Sequence, residues 1–221
     1  MMIKKYFFSC LAFLYCSSAL YAQNDVYLSL SYPSKRRSDI AIDNFTPADK
    51  SVNSIKYAKL FKDTIQNDLI LSRYFNIMQE APENSDTNIN EKLSYFAKLG
   101  ASVLLIADVY SNGDSITIEL KMFDVESGEV IWSSNYKGES SNYRYTAHKA
   151  SDEIVRRFIG DTGVARTKIV FVNNSTKHKE LYIIDYDGYN IRRLTRDNKI
   201  NILPRWSPNG DMIIYTSYLY N

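Results

Sequence analysis

Residues 203–221 read LPRWSPNGDMIIYTSYLYN. The segment opens on a strand-like stretch, turns at Ser-Pro-Asn-Gly and enters a second apolar run. That run, IIYT at 213–216, matches IVFV at 169–172, 44 residues earlier. Between the two copies lie KELYIIDYDG and NIRRLT, short strand-like segments separated by turn residues. A period of about 40–45 residues filled with short strands is the blade repeat of a β-propeller. The part of the chain after Arg166 is therefore predicted to hold one blade and the start of a second. A blade buries its faces only against neighbouring blades, of which propellers have about four to eight. The expectation that follows is that the sequence is a fragment of a longer protein.

Upstream the pattern is different. Residues 26–31 alternate apolar and polar, which is strand periodicity, and IAIDNF at 40–45 starts a second strand. Residues 47–53 read as a loop. In the helix predicted over 54–72, Ile55, Ala58, Phe61, Ile65 and Leu69 fall three and four apart on one face. YFNIM at 74–78 reads as a strand, APENSDTNIN at 81–90 as a polar loop, and 91–99 as a short helix closed by Gly100. SVLLIADVYS, SITIELKMFD and VIWSSNY follow as three strands. They are joined by NGD and VESGE, turns that suit an antiparallel meander. A third helix is predicted over 142–159, with Ser141 or Asn142 as N-cap and Gly160 and Gly163 after its end. The order of elements predicts an α+β domain over 23–163, with helices on a mostly antiparallel sheet. Residues 164–221 form the incomplete propeller.

Residues 1–22 carry Lys4 and Lys5, a short apolar run from 6 to 15, and small residues at Ser17, Ala19 and Ala22. A bilayer span needs about 20 apolar residues. This segment reads as a secretory signal peptide cleaved after Ala22, with Ala19 as the alternative, so the protein is expected to be exported. Both cysteines, Cys10 and Cys16, lie inside it, which leaves no thiol and no disulfide after cleavage. The residues before Cys16 are bulky, unlike a lipid-anchor signal. Downstream there is no apolar stretch long enough to span a membrane. Net charge is +2, a balance that supplies no basic field for nucleic acid. The 18 tyrosines fit a strand-rich protein.

Several residues invite a chemical reading. His148 lies beside Ser151, Asp152 and Glu153 on the predicted third helix, but neighbours on one helix point to different faces and do not converge as a triad must. His148 is expected to be structural, hydrogen-bonded near the domain joint, with Ser151 and Asp152 facing the joint or solvent. Asp185 to Asn190, DYDGYN, begins like a calcium loop, yet basic residues follow where a bidentate Glu is required, and Asp-Gly suits a hairpin turn. His178 sits in a charged loop. With two histidines and no retained cysteine, no metal site is expected. No phosphate loop or nucleophile elbow is present, so neither cofactor nor catalytic residue is assigned. Lys35, Arg36 and Arg37 read as a solvated basic loop.

The segment YRYTAHKASDEIVRRFIGDTGVARTKIVFV, with ELYIIDYDGYN and PRWSPNGDMIIYTS, resembles the domain joint and first blade of the TolB family. The likeness runs over about residues 25–218 and is strongest from Tyr143 onward. It implies an exported, periplasmic, non-catalytic protein with an α+β domain and a six-bladed propeller. It also implies two partners in the Tol-Pal system: a TolA-type inner-membrane protein at the mature amino terminus and a Pal-type lipoprotein at the propeller. The implied role is envelope integrity, protein transport and outer-membrane constriction at cell division. The implied TolA contact is Asp25, Val26, Tyr27, Leu28, Ser29 and Leu30, a terminal strand with backbone groups free to pair. This chain departs from the family in lacking most of the propeller, and with it the implied Pal surface. Two other functions compete. Such propellers also precede prolyl-oligopeptidase-type peptidase domains, against which the amino-terminal α+β domain argues. A lone binding module using only the first domain is the other.

Overall fold

A computed structural model describes residues 37–78 and 88–219. The first strand predicted, at 26–31, lies outside the described residues. So do Lys35 and Arg36 of the basic cluster, of which Arg37 is exposed.

Chain order explains the layers. Strand β1 (Ser38–Ile42) and the two-residue β2 (Thr46–Pro47) lead into helix α1 (Val52–Ser72), then β3 (Phe75–Met78) and helix α2 (Ile89–Lys98). Strands β4 (Val103–Asn112), β5 (Ser115–Asp124) and β6 (Val130–Glu139) follow, and helix α3 (Tyr143–Ile159) closes the domain. The sheet order is β3-β1-β4-β5-β6, with β2 beside β4. The chain moves from β1 outward to β3 through α1, then back past β1 to β4 through α2. Parallel crossovers are right-handed, so reversing the direction of travel puts the two helices on opposite faces.

The core agrees. Ile40, Phe61, Ile65, Leu69, Leu105, Ile118, Leu120 and Ile154 share one apolar cluster between the sheet and α1 with α3. Ala41, Leu93, Phe96 and Leu104 form another under α2. Strands β1 and the first half of β4 are thus covered on both sides, which is why IAI and VLLIA are unbroken apolar runs. The meander is antiparallel as expected, with Leu105 opposite Met122 and Ile118 opposite Tyr136. The other pairings, β1 with β3 and β4, and β2 with β4, are parallel, so the sheet is mixed.

The first helix begins earlier than its sequence pattern suggests, at Val52, because Ser51 caps it and accepts from the Ser54 amide at 3.1 Å. The predicted loop at 47–53 is shortened at its other end by Pro47, which pairs with Val109. Ile55 is also not on the buried face; it is 53% exposed. Its place toward the sheet is taken by Ser54, whose hydroxyl accepts from the Ser111 amide at 3.1 Å.

After α3 the chain is all strand among the described residues. Strands β7 (Lys168–Asn173), β8 (Glu180–Asp185) and β9 (Arg192–Arg193) make one antiparallel sheet, and β10 (Asn201–Trp206) pairs with β11 (Ile213–Ser217) in another. The repeated runs are β7, the first strand of its sheet, and β11, the second strand of its own. Buried Glu180 ties the two sheets together. It accepts from Arg193 Nη2 of β9 at 2.8 Å, the Asn198 amide at 3.0 Å, the Thr195 hydroxyl and Asn201 Nδ2 of β10 at 3.4 Å. Burial alone would raise this carboxyl, but these donors together outweigh it and hold it below its ordinary value.

Candidate functional site

Arg144, His148 and Asp152 are four residues apart on α3, so they form one stripe along the helix. The stripe faces the strands that follow the helix. His148 is buried, and its Nδ1 lies 2.8 Å from Asp68 Oδ2 on α1. Its Nε2 faces Asp187 Oδ2 at 3.5 Å, beyond hydrogen-bond length. Asp187 lies in the turn between β8 and β9. Its side chain is fully buried and is ion-paired with Arg144. The Tyr189 ring covers the Arg144 guanidinium, 3.7 Å from its centroid.

The turn is built to deliver Asp187. Gly188 takes φ +89 and Asn190 φ +55, the left-handed region that glycine and asparagine tolerate. The Asp185 amide donates to the Tyr189 carbonyl at 2.9 Å and closes the loop. Asp185 turns away from Asp187 toward Lys168 and Asn190, so the two carboxylates do not converge as a calcium loop would require. Desolvation opposes ionisation of Asp185, but its bonds from Lys168 and Asn190 outweigh that and lower its pKa.

One stripe position lower, Asp152 grips the linker between α3 and β7. Its Oδ1 accepts from the Ala165 amide and its Oδ2 from Arg166 Nε, both at 2.7 Å. The bond to Asp152 raises the Arg166 guanidinium above its ordinary pKa. Above the linker runs a groove of about 220 Å³ lined by Ser72, Tyr74, Val155, Val164 and Tyr186. The Tyr186 hydroxyl donates to the Leu71 carbonyl at 3.2 Å.

His148 thus stands at the joint, hydrogen-bonded, in the structural role its sequence context suggests. Ser151 donates to its own helix at the Ala147 carbonyl, 3.1 Å away, and not to the imidazole. The second ring nitrogen faces a carboxylate, where a serine triad needs a hydroxyl. One ligand atom each of Asp68, His148 and Asp187 lies within 4.8 Å of the others, which is metal-ligand spacing. Arg144 already supplies a cation on Asp187 there. His178 stays in an exposed loop.

Asp68, Arg144 and Asp187 are not among the residues that the sequence pattern singles out. Arg144 was findable from its four-residue spacing to His148. Asp68 carries a signal too: a carboxylate set three residues after Ile65 and beside Leu69, on the apolar stripe of α1. Asp187 has none, because it meets α3 only through the path of the chain. The implied partner-binding residues, Asp25, Val26, Tyr27, Leu28, Ser29 and Leu30, lie outside the described residues. Among the described residues no helix is long and apolar enough to cross a membrane.

The TolB amino-terminal domain family matches residues 26–131. The Tol-Pal system protein TolB of Desulfosudis oleivorans is 30% identical over 215 residues, which cover 94% of this chain and 49% of that protein. TolB of Geobacter sulfurreducens is 30% identical over 198 residues, 87% of this chain and 45% of that one. The chain therefore spans about half the length of these curated relatives. The crystal structure of TolB from Acinetobacter baumannii superposes with a TM-score of 0.66 at 22% identity, over 83% of this chain and 44% of that one, and shares the fold. Residues 26–131 thus match the TolB amino-terminal domain, and most of the chain is similar in sequence to TolB proteins of the Tol-Pal system and shares the fold of one of them.

Proposed function

We propose that the protein is a non-catalytic periplasmic scaffold, one that binds a TolA-type inner-membrane protein through the arm from Asp25 to Leu30 and a Pal-type lipoprotein through a propeller begun by β7 to β11. The relation to TolB along nearly the whole of this chain is the observation that carries the reading. In this view residues 1–22 are an export signal, 23–163 the adaptor domain, and 164–221 the first blade and the opening of the next. The system so linked keeps the outer envelope intact, supports protein transport and draws the outer membrane inward at division. The arm suits capture by a partner because it is terminal and strand-forming, so its own ordering entropy is the main cost of binding. Its backbone would add a strand to the partner, with Val26 and Leu28 in pockets.

The test deletes residues 23–29 and measures binding to the periplasmic domain of TolA by calorimetry, with circular dichroism as the check on folding. Loss of binding in a folded protein is expected. Unchanged affinity in a folded protein overturns the assignment of the arm.

A further inference from the structure

The joint between α3 and the strands after it is held by polar contacts. Among the described residues, both apolar clusters draw only on residues up to Ile159. Leu181 and Ile183, buried in β8, belong to neither. What crosses the joint is charge and hydrogen bonding: Arg144 and His148 to Asp187, Asp152 to the 165–166 backbone and guanidinium, and the Tyr186 hydroxyl to Leu71. Inter-domain contacts of this polar kind resemble transient interfaces, because water replaces them at little loss of apolar burial.

Asp187 is the deepest of these contacts. Its carboxylate sits between the Arg144 guanidinium and the His148 imidazole of α3, and His148 passes the contact on to Asp68 of α1. The linker below carries two glycines: Gly160 takes φ +85 at the end of α3, and Gly163 lies against Asp152 with no side chain between them.

We infer that Asp187 is an ionic latch, which clamps the β8–β9 turn onto α1 and α3 and whose release lets the following strands swing about residues 160–166 while the amino-terminal domain stays folded. With the carboxylate in place, the turn, both helices and the linker form one body. With it withdrawn, Arg144 gains solvent, and the linker loses the clamp that keeps it seated on Asp152. The inference concerns motion within this chain and stands whether or not the arm binds TolA.

Amide hydrogen exchange read by mass spectrometry tests it on the full chain, comparing the parent with Asp187→Asn. Exchange across residues 161–167 is expected to rise at least tenfold, while β4 and β5 keep their protection. Arg144→Gln gives the same local pattern, and the double variant adds little to either single one, because both remove one contact. Unchanged exchange at 161–167 overturns the latch. An equal rise in β4 and β5 also overturns it, since Asp187 would then serve general stability and not a separable joint.

Discussion

Gly163 passes so close to Asp152 that a methyl group in its place would lie 2.6 Å from the Asp152 Cα and 2.5 Å from Oδ1. Backbone atoms do not yield as a flexible side chain does, so the linker must lift. Gly163→Ala is expected to destabilise the chain by about 1–3 kcal/mol. Lifting also lengthens the 2.7 Å bond from the Ala165 amide to Asp152. Denaturant melts of Gly163→Ala, Asp152→Ala and the double variant check this. The double variant should fall well short of the sum, because both act on one contact.

Removing the imidazole of His148 strips the buried Asp68 carboxylate of its 2.8 Å partner. His148→Ala is expected to cost about 1.5–3 kcal/mol, the range for a hydrogen bond to a charged group. Asp68→Asn in the same background should recover part of that loss, since the orphaned charge goes with it. Urea midpoints of the single and double variants are the measurement. No recovery would mean that the loss comes from the space left by the imidazole.

Glu180 makes the strands after α3 sensitive to acid. Its folded pKa lies below the ordinary 4.5, so its contribution is fully present above that value and is lost as pH falls through the folded one. Tryptophan fluorescence of Trp206 on β10 should therefore report loosening below about pH 4.5. Glu180→Gln removes this part of the pH dependence and lowers stability at neutral pH, where the charge-assisted bond from Arg193 is gone.

Ser54 replaces an apolar residue at a buried position so that the end of β4 has an acceptor. Ser54→Ala leaves the Ser111 amide without that partner and is expected to cost about 1–2 kcal/mol. Exchange of that amide, seen by nuclear magnetic resonance, should quicken while the Leu105 amide is unmoved.

What was legible in the sequence follows from the range of each interaction. The β4–β5–β6 meander is readable in the sequence, although β6 runs three residues past VIWSSNY, because hairpins are set by turns and alternation within some twenty residues of one another. Helix α3 was readable for the same reason, from its stripe and from Gly160. The parallel pairing of β1 was not, since Ile40 meets Val103 only after two helices have intervened. Ile55 was misplaced because helical spacing says which residues share a face but not how far the sheet beneath extends. At the joint, His148 was placed in its right role. Asp187 was read only as part of a turn, because its burial depends on a helix some forty residues away.

The mixed sheet also carries a consequence for how the chain comes together in time. The meander closes short loops, whereas β1 pairs with β3 and β4 across α1 and α2, and long loops close slowly. The hairpins are expected to form first, giving high φ-values at Leu105 and Ile118 and low ones at Ile40. Until β1 inserts, β4 has one bare edge and the apolar side chains of Val103 and Leu105 lie beside it. Of the strands described, the earliest to be synthesised is thus the last to gain both its neighbours, and that interval is when a nascent chain most needs a holdase.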